Sequence, residues 1–291
     1  MITEALLHFP GIGPARLARL QERGIRQWSD VVQRAAELPE RLREPLTQEA
    51  DRCLAAHARR DIGYLAQALH PKDKWRVLHE YFDETSFFDI ETSGLEYDAS
   101  ITVIACWHRG AVQTFVAGDG LDRFLDVLDD VKLLASFNGN AFDVPRLLDA
   151  FHIPRLPCPH LDLRWPCYHQ GYHGGLKQIA RQAGLARPLD LQHADGAWAV
   201  QLWNAWRRTA DRSSLDELLR YCASDALLLR LLAKRLTGGV DGQEIARVWD
   251  SLPARERAAP AAGAGGVVPT ILPGSFGAGS PARPRALRRW R

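Results

Sequence analysis

The chain has 291 residues, 46% hydrophobic, 25% charged and 9% aromatic, with a formal net charge of +2. That length and apolar fraction suit one large or two small folded units and exclude a chain that is disordered throughout. No apolar run reaches ~18 residues and no charged-then-apolar leader follows Met1, so a membrane span is excluded and a soluble, cytoplasmic protein is expected.

The small net charge hides a division. Residues 1–80 carry +2, residues 81–252 carry −6, and residues 253–291, with seven Arg and one Glu, carry +6. An acidic middle between basic segments fits an enzyme whose own site gathers divalent cations while its neighbours hold a polyanion. The five cysteines show no framework spacing, and reduced thiols are expected.

In chain order, residues 2 to 26 read as a short helix, a Gly-rich hairpin and a second helix. Leu6, Leu7, Phe9 and Ile12 precede Leu17 and Leu20 at helical spacing, with Pro14 where a first helical turn tolerates proline. The segment Phe9-Pro10-Gly11-Ile12-Gly13-Pro14 resembles the helix-hairpin-helix module of DNA-repair and replication proteins. That resemblance implies sequence-independent DNA contact, with the backbone at Gly11 and Gly13 close to a phosphate and Arg16, Arg19 and Arg23 following. Such a hairpin also serves as a helical joint or a protein-docking unit. Residues 27 to 80 look helical and complete an N-terminal helical region, 1–80.

From residue 84 the pattern changes. Strands are expected over 85–91, 101–108 and 111–116, the last two joined as a hairpin through Arg109-Gly110. A helix over 121–129, a strand over 132–137, a helix over 142–151 and a strand over 160–163 follow. Helices near 175–183, 196–209 and 213–236 complete a domain over 81–237. Trp198, Trp203 and Trp206 have the helical spacing of core packing. The fold class is α/β, a mixed sheet flanked by helices in an order that resembles ribonuclease H. Residues 238–291 read as a linker and a Pro/Gly/Ala/Arg-rich tail too poor in apolar residues to order itself. The tail could tether nucleic acid electrostatically, with Trp290 stacking on a base.

Three stretches carry chemistry. In Ser86-Phe87-Phe88-Asp89-Ile90-Glu91-Thr92-Ser93-Gly94-Leu95, two carboxylates two residues apart on an apolar strand share a face, a costly arrangement unless a cation lies between them. Ser136-Phe137-Asn138-Gly139-Asn140-Ala141-Phe142-Asp143 places Asp143 at a helix start. Tyr221-Cys222-Ala223-Ser224-Asp225 sets Tyr221 and Asp225 at i, i+4 on one helix face. Oxygen-only ligation points to two divalent cations, Mg²⁺ or Mn²⁺, rather than zinc. Such a pair activates a water and stabilises the leaving oxygen of a phosphodiester.

At these residues the chain resembles the DEDD exonucleases of the ribonuclease H-like superfamily, in their tyrosine subclass. Asp89 and Glu91 match the first motif, Asn138-Gly139 with Phe142-Asp143 the second, and Tyr221 with Asp225 the third. The second and third also look like the proofreading domain of family B DNA polymerases. The histidine subclass is set aside because its histidine position holds Arg220. A closer resemblance, over roughly residues 84 to 236, is to the YprB-like group of predicted ribonuclease H-like exonucleases. It rests on His160-Leu161-Asp162-Leu163-Arg164, Gly174-Gly175-Leu176-Lys177, and Asp195-Gly196 with Ala199-Val200 and Leu202-Trp203. Cys222 and Ala180 depart from that group's usual Asn and Glu.

The resemblance implies roles. Asp89 would bridge both ions, Glu91 and Asp225 would hold the ion carrying the nucleophilic water, Asp143 would support the second ion, and Tyr221 would orient the water. Asn138 would contact the nucleic acid or the groups surrounding the metal ligands. Separately, Gly174-Gly175 before a helix with Lys177 suits a phosphate of the nucleic acid, the full phosphate-loop pattern being absent. The implied activity is a metal-dependent 3′→5′ exonuclease, with DNA favoured over RNA because of the hairpin. An exoribonuclease and a catalytically silent DNA-binding scaffold are the alternatives. A zinc site from Cys158, His160, Cys167, His169 and His173 is set aside, because their spacing is not that of a standard finger.

Overall fold

The computed structural model describes residues 1–253 except Leu95 and Tyr97, so the Arg-rich tail lies outside the described residues. The N-terminal region comprises α1 (Pro14–Glu22), α2 (Trp28–Gln33), α3 (Glu40–Ala58), α4 (Ile62–Ala68) and α5 (Lys74–Glu80). The first helix expected from the sequence is a single 3₁₀ turn, Ile2–Glu4. α1 starts at Pro14, whose missing N–H costs nothing in a first turn.

The sheet follows the expected order. β1 (Thr85–Thr92), β2 (Ile101–His108) and β3 (Ala111–Val116) form an antiparallel meander, and β4 (Leu133–Ser136) and β5 (His160–Asp162) extend it in parallel on the other side of β1. The spatial order is β3-β2-β1-β4-β5, so β1 is central. The helices are α6 (Phe124–Leu128), α7 (Asp143–Ala150), α8 (Arg164–His169), α9 (Leu176–Gln182), α10 (Gly196–Thr209), α11 (Arg212–Thr237) and α12 (Gly242–Asp250).

Alternation along β1 decides what meets what. Phe88 and Ile90 face one way and pack with Phe124, Leu125, Leu128 and Leu147 of α6 and α7. Phe87, Asp89 and Glu91 face the other way, toward α11. From Tyr221 to Leu229 every residue of α11 is buried, as expected of a helix apolar nearly all round. The N-terminal helices pack on this same side of the sheet. Trp28, Leu78 and Tyr81 share a core with Phe87, Leu133, Leu161, Leu229 and Ala233.

α12 falls in the segment read as a linker. Asp241 caps it through the Glu244 N–H at 2.8 Å, and Ile245, Val248, Trp249 and Leu252, at helical spacing, pack against the α11 side of the core. All five cysteines are buried and unpaired. Among the described residues no helix is long and apolar enough to cross a membrane.

Candidate active site

A cleft of about 990 Å³ opens at the carboxyl ends of β1 and β4, where the chain leaves the parallel pair in opposite senses. Asp89 and Glu91 come from β1, Asp143 from the first residue of α7, and Asp225 from the middle of α11; all four line this cleft. Glu91, Asp143 and Asp225 are buried and Asp89 is half-buried. Tyr221, one turn before Asp225, is buried behind them.

The loop that delivers Asp143 has strict local requirements. Asn138 adopts a left-handed conformation, φ 61°, which Asn tolerates better than most residues. A side chain at Gly139 would collide with the Ser136 hydroxyl. The Asp162 carboxylate fixes the turn by accepting the N–H groups of Asn138 at 2.8 Å, Asn140 at 3.2 Å and Arg164 at 3.0 Å. Arg164 Nη1 in turn donates to Asn138 Oδ1 at 2.5 Å, so the Asn138 side chain is held by α8 at the cleft wall. Asp162 thereby organises both walls without being one of the four cleft acids.

Crowding these acids has an electrostatic cost. Burial raises Asp89 to about 7. Burial, and then the charge of Asp89, hold Glu91 and Asp143 well above the ordinary carboxylate range. Counter-charge comes from Arg187, a residue the sequence reading missed, on the loop after α9. Its Nη2 donates to Asp225 Oδ1 in a buried ion pair and its Nη1 to the Ala194 carbonyl at 3.4 Å, while its Nε is buried without a partner. Lys177 donates to the same Ala194 carbonyl, and burial lowers its pKa.

Tyr221 sits among these groups. The Arg187 guanidinium lies 5.1 Å and the Lys177 ammonium 5.8 Å from its ring centre, and Trp198 meets the ring edge-on at 5.8 Å. Burial, and then the Glu91 charge, push the phenol pKa upward. Cys222 also touches the cluster: its thiol lies 3.6 Å from the Asp89 carbonyl and 4.0 Å from Asp89 Oδ2.

The donor set fits hard divalent cations. Four carboxylates line one cleft, and ligand oxygens of Asp89 and Glu91 lie within 4.8 Å of each other. The Cys222 thiol lies within the same distance, but burial raises its pKa well above the usual thiol range, so it stays a neutral neighbour. The Arg187 guanidinium is a buried counter-ion. The metal-free protein should therefore depend on pH. Folded-state values raised above the unfolded ones mean that the native state binds more protons, so stability falls as pH rises from about 4 toward 7 and beyond. The melting temperature in chelator should drop between pH 5 and pH 8, and Mn²⁺ should flatten that drop. A melting temperature equal at both pH values in chelator would contradict this.

The remaining residues singled out from the sequence lie elsewhere. Gly11 takes φ 71° in the hairpin, Gly13 caps α1, and Arg16 Nη1 donates to the Gly11 carbonyl at 2.5 Å. Among the described residues Cys158, His160, Cys167, His169 and His173 do not converge on one point. His160 instead bridges Ser136 Oγ at 2.9 Å and Asn140 Oδ1 at 3.0 Å. His8, Glu49 and Cys53 do converge, but Tyr64 and Arg52 already satisfy Glu49, and His8 Nδ1 lacks the acceptor that a metal-bound imidazole uses.

An acid-lined cleft at the carboxyl end of the central strand of a five-stranded mixed sheet defines the class, and a family comparison agrees. The chain belongs to the RNase H superfamily, whose family description matches residues 86–237. Among solved structures, the chain is similar to the family B DNA polymerase from the hyperthermophilic archaeon Pyrobaculum calidifontis. The match has 17% identity and a TM-score of 0.39, and it covers 57% of this chain and 28% of the polymerase chain. No curated protein matches.

Proposed function

We propose that the protein is a metal-dependent 3′→5′ exonuclease of the DEDD type, tyrosine subclass, acting on nucleic acid and on DNA in preference to RNA. The observation that carries this reading is the convergence of Asp89, Glu91, Asp143 and Asp225 on one cleft, with Tyr221 one turn from Asp225. The 3′→5′ direction rests on the motif resemblance. The preference for DNA rests on the Gly11-Ile12-Gly13 hairpin at the start of α1.

Asp89, Glu91, Asp143 and Asp225 would hold two divalent cations, which when bound supply a nucleophilic hydroxide and charge neutralisation at the leaving oxygen. The protein's own groups do the rest. Tyr221, whose proton is held tightly, cannot act as a base near neutral pH and serves as an O–H donor that orients the attacking water. Arg187 and Lys177 stand at the cleft wall, where their side chains would attract the phosphate of the strand. Asp162 and Arg164 hold the Asn138 loop so that Asp143 keeps its place at the start of α7.

End-labelled DNA and RNA of matched sequence, each with Mg²⁺, Mn²⁺ or chelator, test the reading. Stepwise shortening from the 3′ end, faster on DNA and absent in chelator, is expected. Faster cleavage of RNA would favour the exoribonuclease, and binding without cleavage the silent scaffold. Tyr221→Phe should slow cleavage by about 10²-fold, less than loss of Asp89, because it removes one oriented donor and leaves the ligands in place. A wild-type rate in Tyr221→Phe would remove Tyr221 from the mechanism.

A further inference from the structure

Among the described residues four large apolar side chains are exposed: Met1, Trp165, Tyr168 and Leu189. The two aromatic ones lie three residues apart on α8, with ring centres 6.3 Å apart and planes at 75°, so they offer two differently oriented stacking surfaces. They are 49% and 54% exposed, while α8 itself is anchored through buried Pro166 and Cys167. Leaving an indole and a phenol half in water forgoes burial that these large rings normally gain, and the packing of α8 does not require it. Their position is informative. Tyr168 lines the catalytic cleft beside Tyr172 and His173, and its ring centre is 5.0 Å from that of His173. Arg164, Lys177 and Arg181 line the same cleft.

We propose that Tyr168 and Trp165 form a base-stacking ledge for the unpaired bases of the strand whose last phosphodiester enters the acidic cleft. The ledge rests on the nuclease reading above and adds to it the side chains that would hold the bases of a single-stranded end. A base can stack on an aromatic side chain only through its ring face. In a duplex those faces are covered by neighbouring base pairs and only edges reach the grooves. An exposed aromatic pair beside a cationic wall therefore complements a single strand, with bases on the rings and phosphates on the cations.

The test uses the full chain carrying Asp89→Asn to silence cleavage, with Tyr168→Ala, Trp165→Ala or Tyr168→Phe added. Each protein is titrated by fluorescence anisotropy with a labelled mixed-sequence single strand and with a blunt duplex of equal length, at several salt concentrations. Melting curves verify the fold of each variant, and both positions are exposed enough to tolerate alanine. The single strand should bind more tightly than the duplex. Each alanine should weaken single-strand binding about tenfold and leave duplex binding and the salt slope unchanged, since a ring releases no counterions. Tyr168→Phe should keep wild-type affinity. Equal binding of both nucleic acids, or unchanged affinity in the two alanine variants, overturns the ledge and leaves the nuclease reading standing if the protein with Asp89 intact still cleaves. Failure of that protein to bind or cleave any nucleic acid overturns both.

Discussion

Asp89→Asn is expected to abolish phosphodiester cleavage while making the metal-free protein more stable. Asp89 stands at the centre of the cleft, on the middle strand of the sheet, and its charge is among the causes that raise both Glu91 and Asp143. A bound ion supplies several kcal/mol of charge stabilisation to the reaction, so loss of its central ligand should cost at least about 10³-fold in rate. The same substitution removes one like charge from a buried cluster and keeps the side-chain volume, which favours the metal-free fold. Single-turnover cleavage and a melting curve in chelator at pH 8 measure the two effects on one preparation. A lower melting temperature together with lost activity would show a damaged fold rather than a lost ligand.

Arg187→Met should act in the opposite direction on stability. The guanidinium and Asp225 are both buried, and removing one partner of a buried pair typically costs about 3–5 kcal/mol. For a chain of this size that corresponds to a fall of roughly 10 °C in melting temperature. Two rescues identify the cause. Asp225→Asn in the same chain should recover most of the loss, because no charge is then left unpaired. Mn²⁺ should also recover part of it, because a cation again faces Asp225. Arg187→Met melting like the wild type in chelator would show that the pair does not balance the cluster. A loss that neither Asp225→Asn nor Mn²⁺ repairs would point to packing instead.

Much of this arrangement was legible in the sequence because it depends on short-range periodicity. Phe87, Phe88 and Ile90 marked β1 as a strand buried on both faces, and period-2 alternation then put Asp89 and Glu91 on one side. The spacing of Tyr221 and Asp225 put both on one face of α11, as found. Trp203 is buried in the core as its spacing suggested, while Trp198 also reaches the edge of Tyr221. Arg187 was not legible: it sits on an irregular loop before Pro188, with no periodicity to aim it, and only the fold brings it to Asp225. Asp162 was read as part of the strand 160–163 and of the stretch that resembles the YprB-like group, but its three backbone hydrogen bonds follow from how two loops meet. α12 was obscured by the Gly and Pro around it, although Asp241 and the spacing of Ile245, Val248 and Trp249 carry the signal of a capped amphipathic helix. Helical apolar spacing within residues 2 to 26 and the helical look of residues 27 to 80 did not show which surface these helices cover. That surface combines Phe87, Leu133 and Leu161 of the sheet with Leu229 and Ala233 of α11, so cutting these helices away would expose Phe87 and Leu161.

Binding of Mn²⁺ to the intact protein, followed by equilibrium dialysis and by the loss of the free-ion electron paramagnetic resonance signal, tests the central claim without relying on any substrate. Two bound ions per chain are expected in the wild type, with binding sharply reduced in Asp89→Asn and unchanged in Tyr168→Ala. A wild-type protein that leaves the free Mn²⁺ signal untouched, or an Asp89→Asn variant that binds as well as the wild type, would contradict that claim.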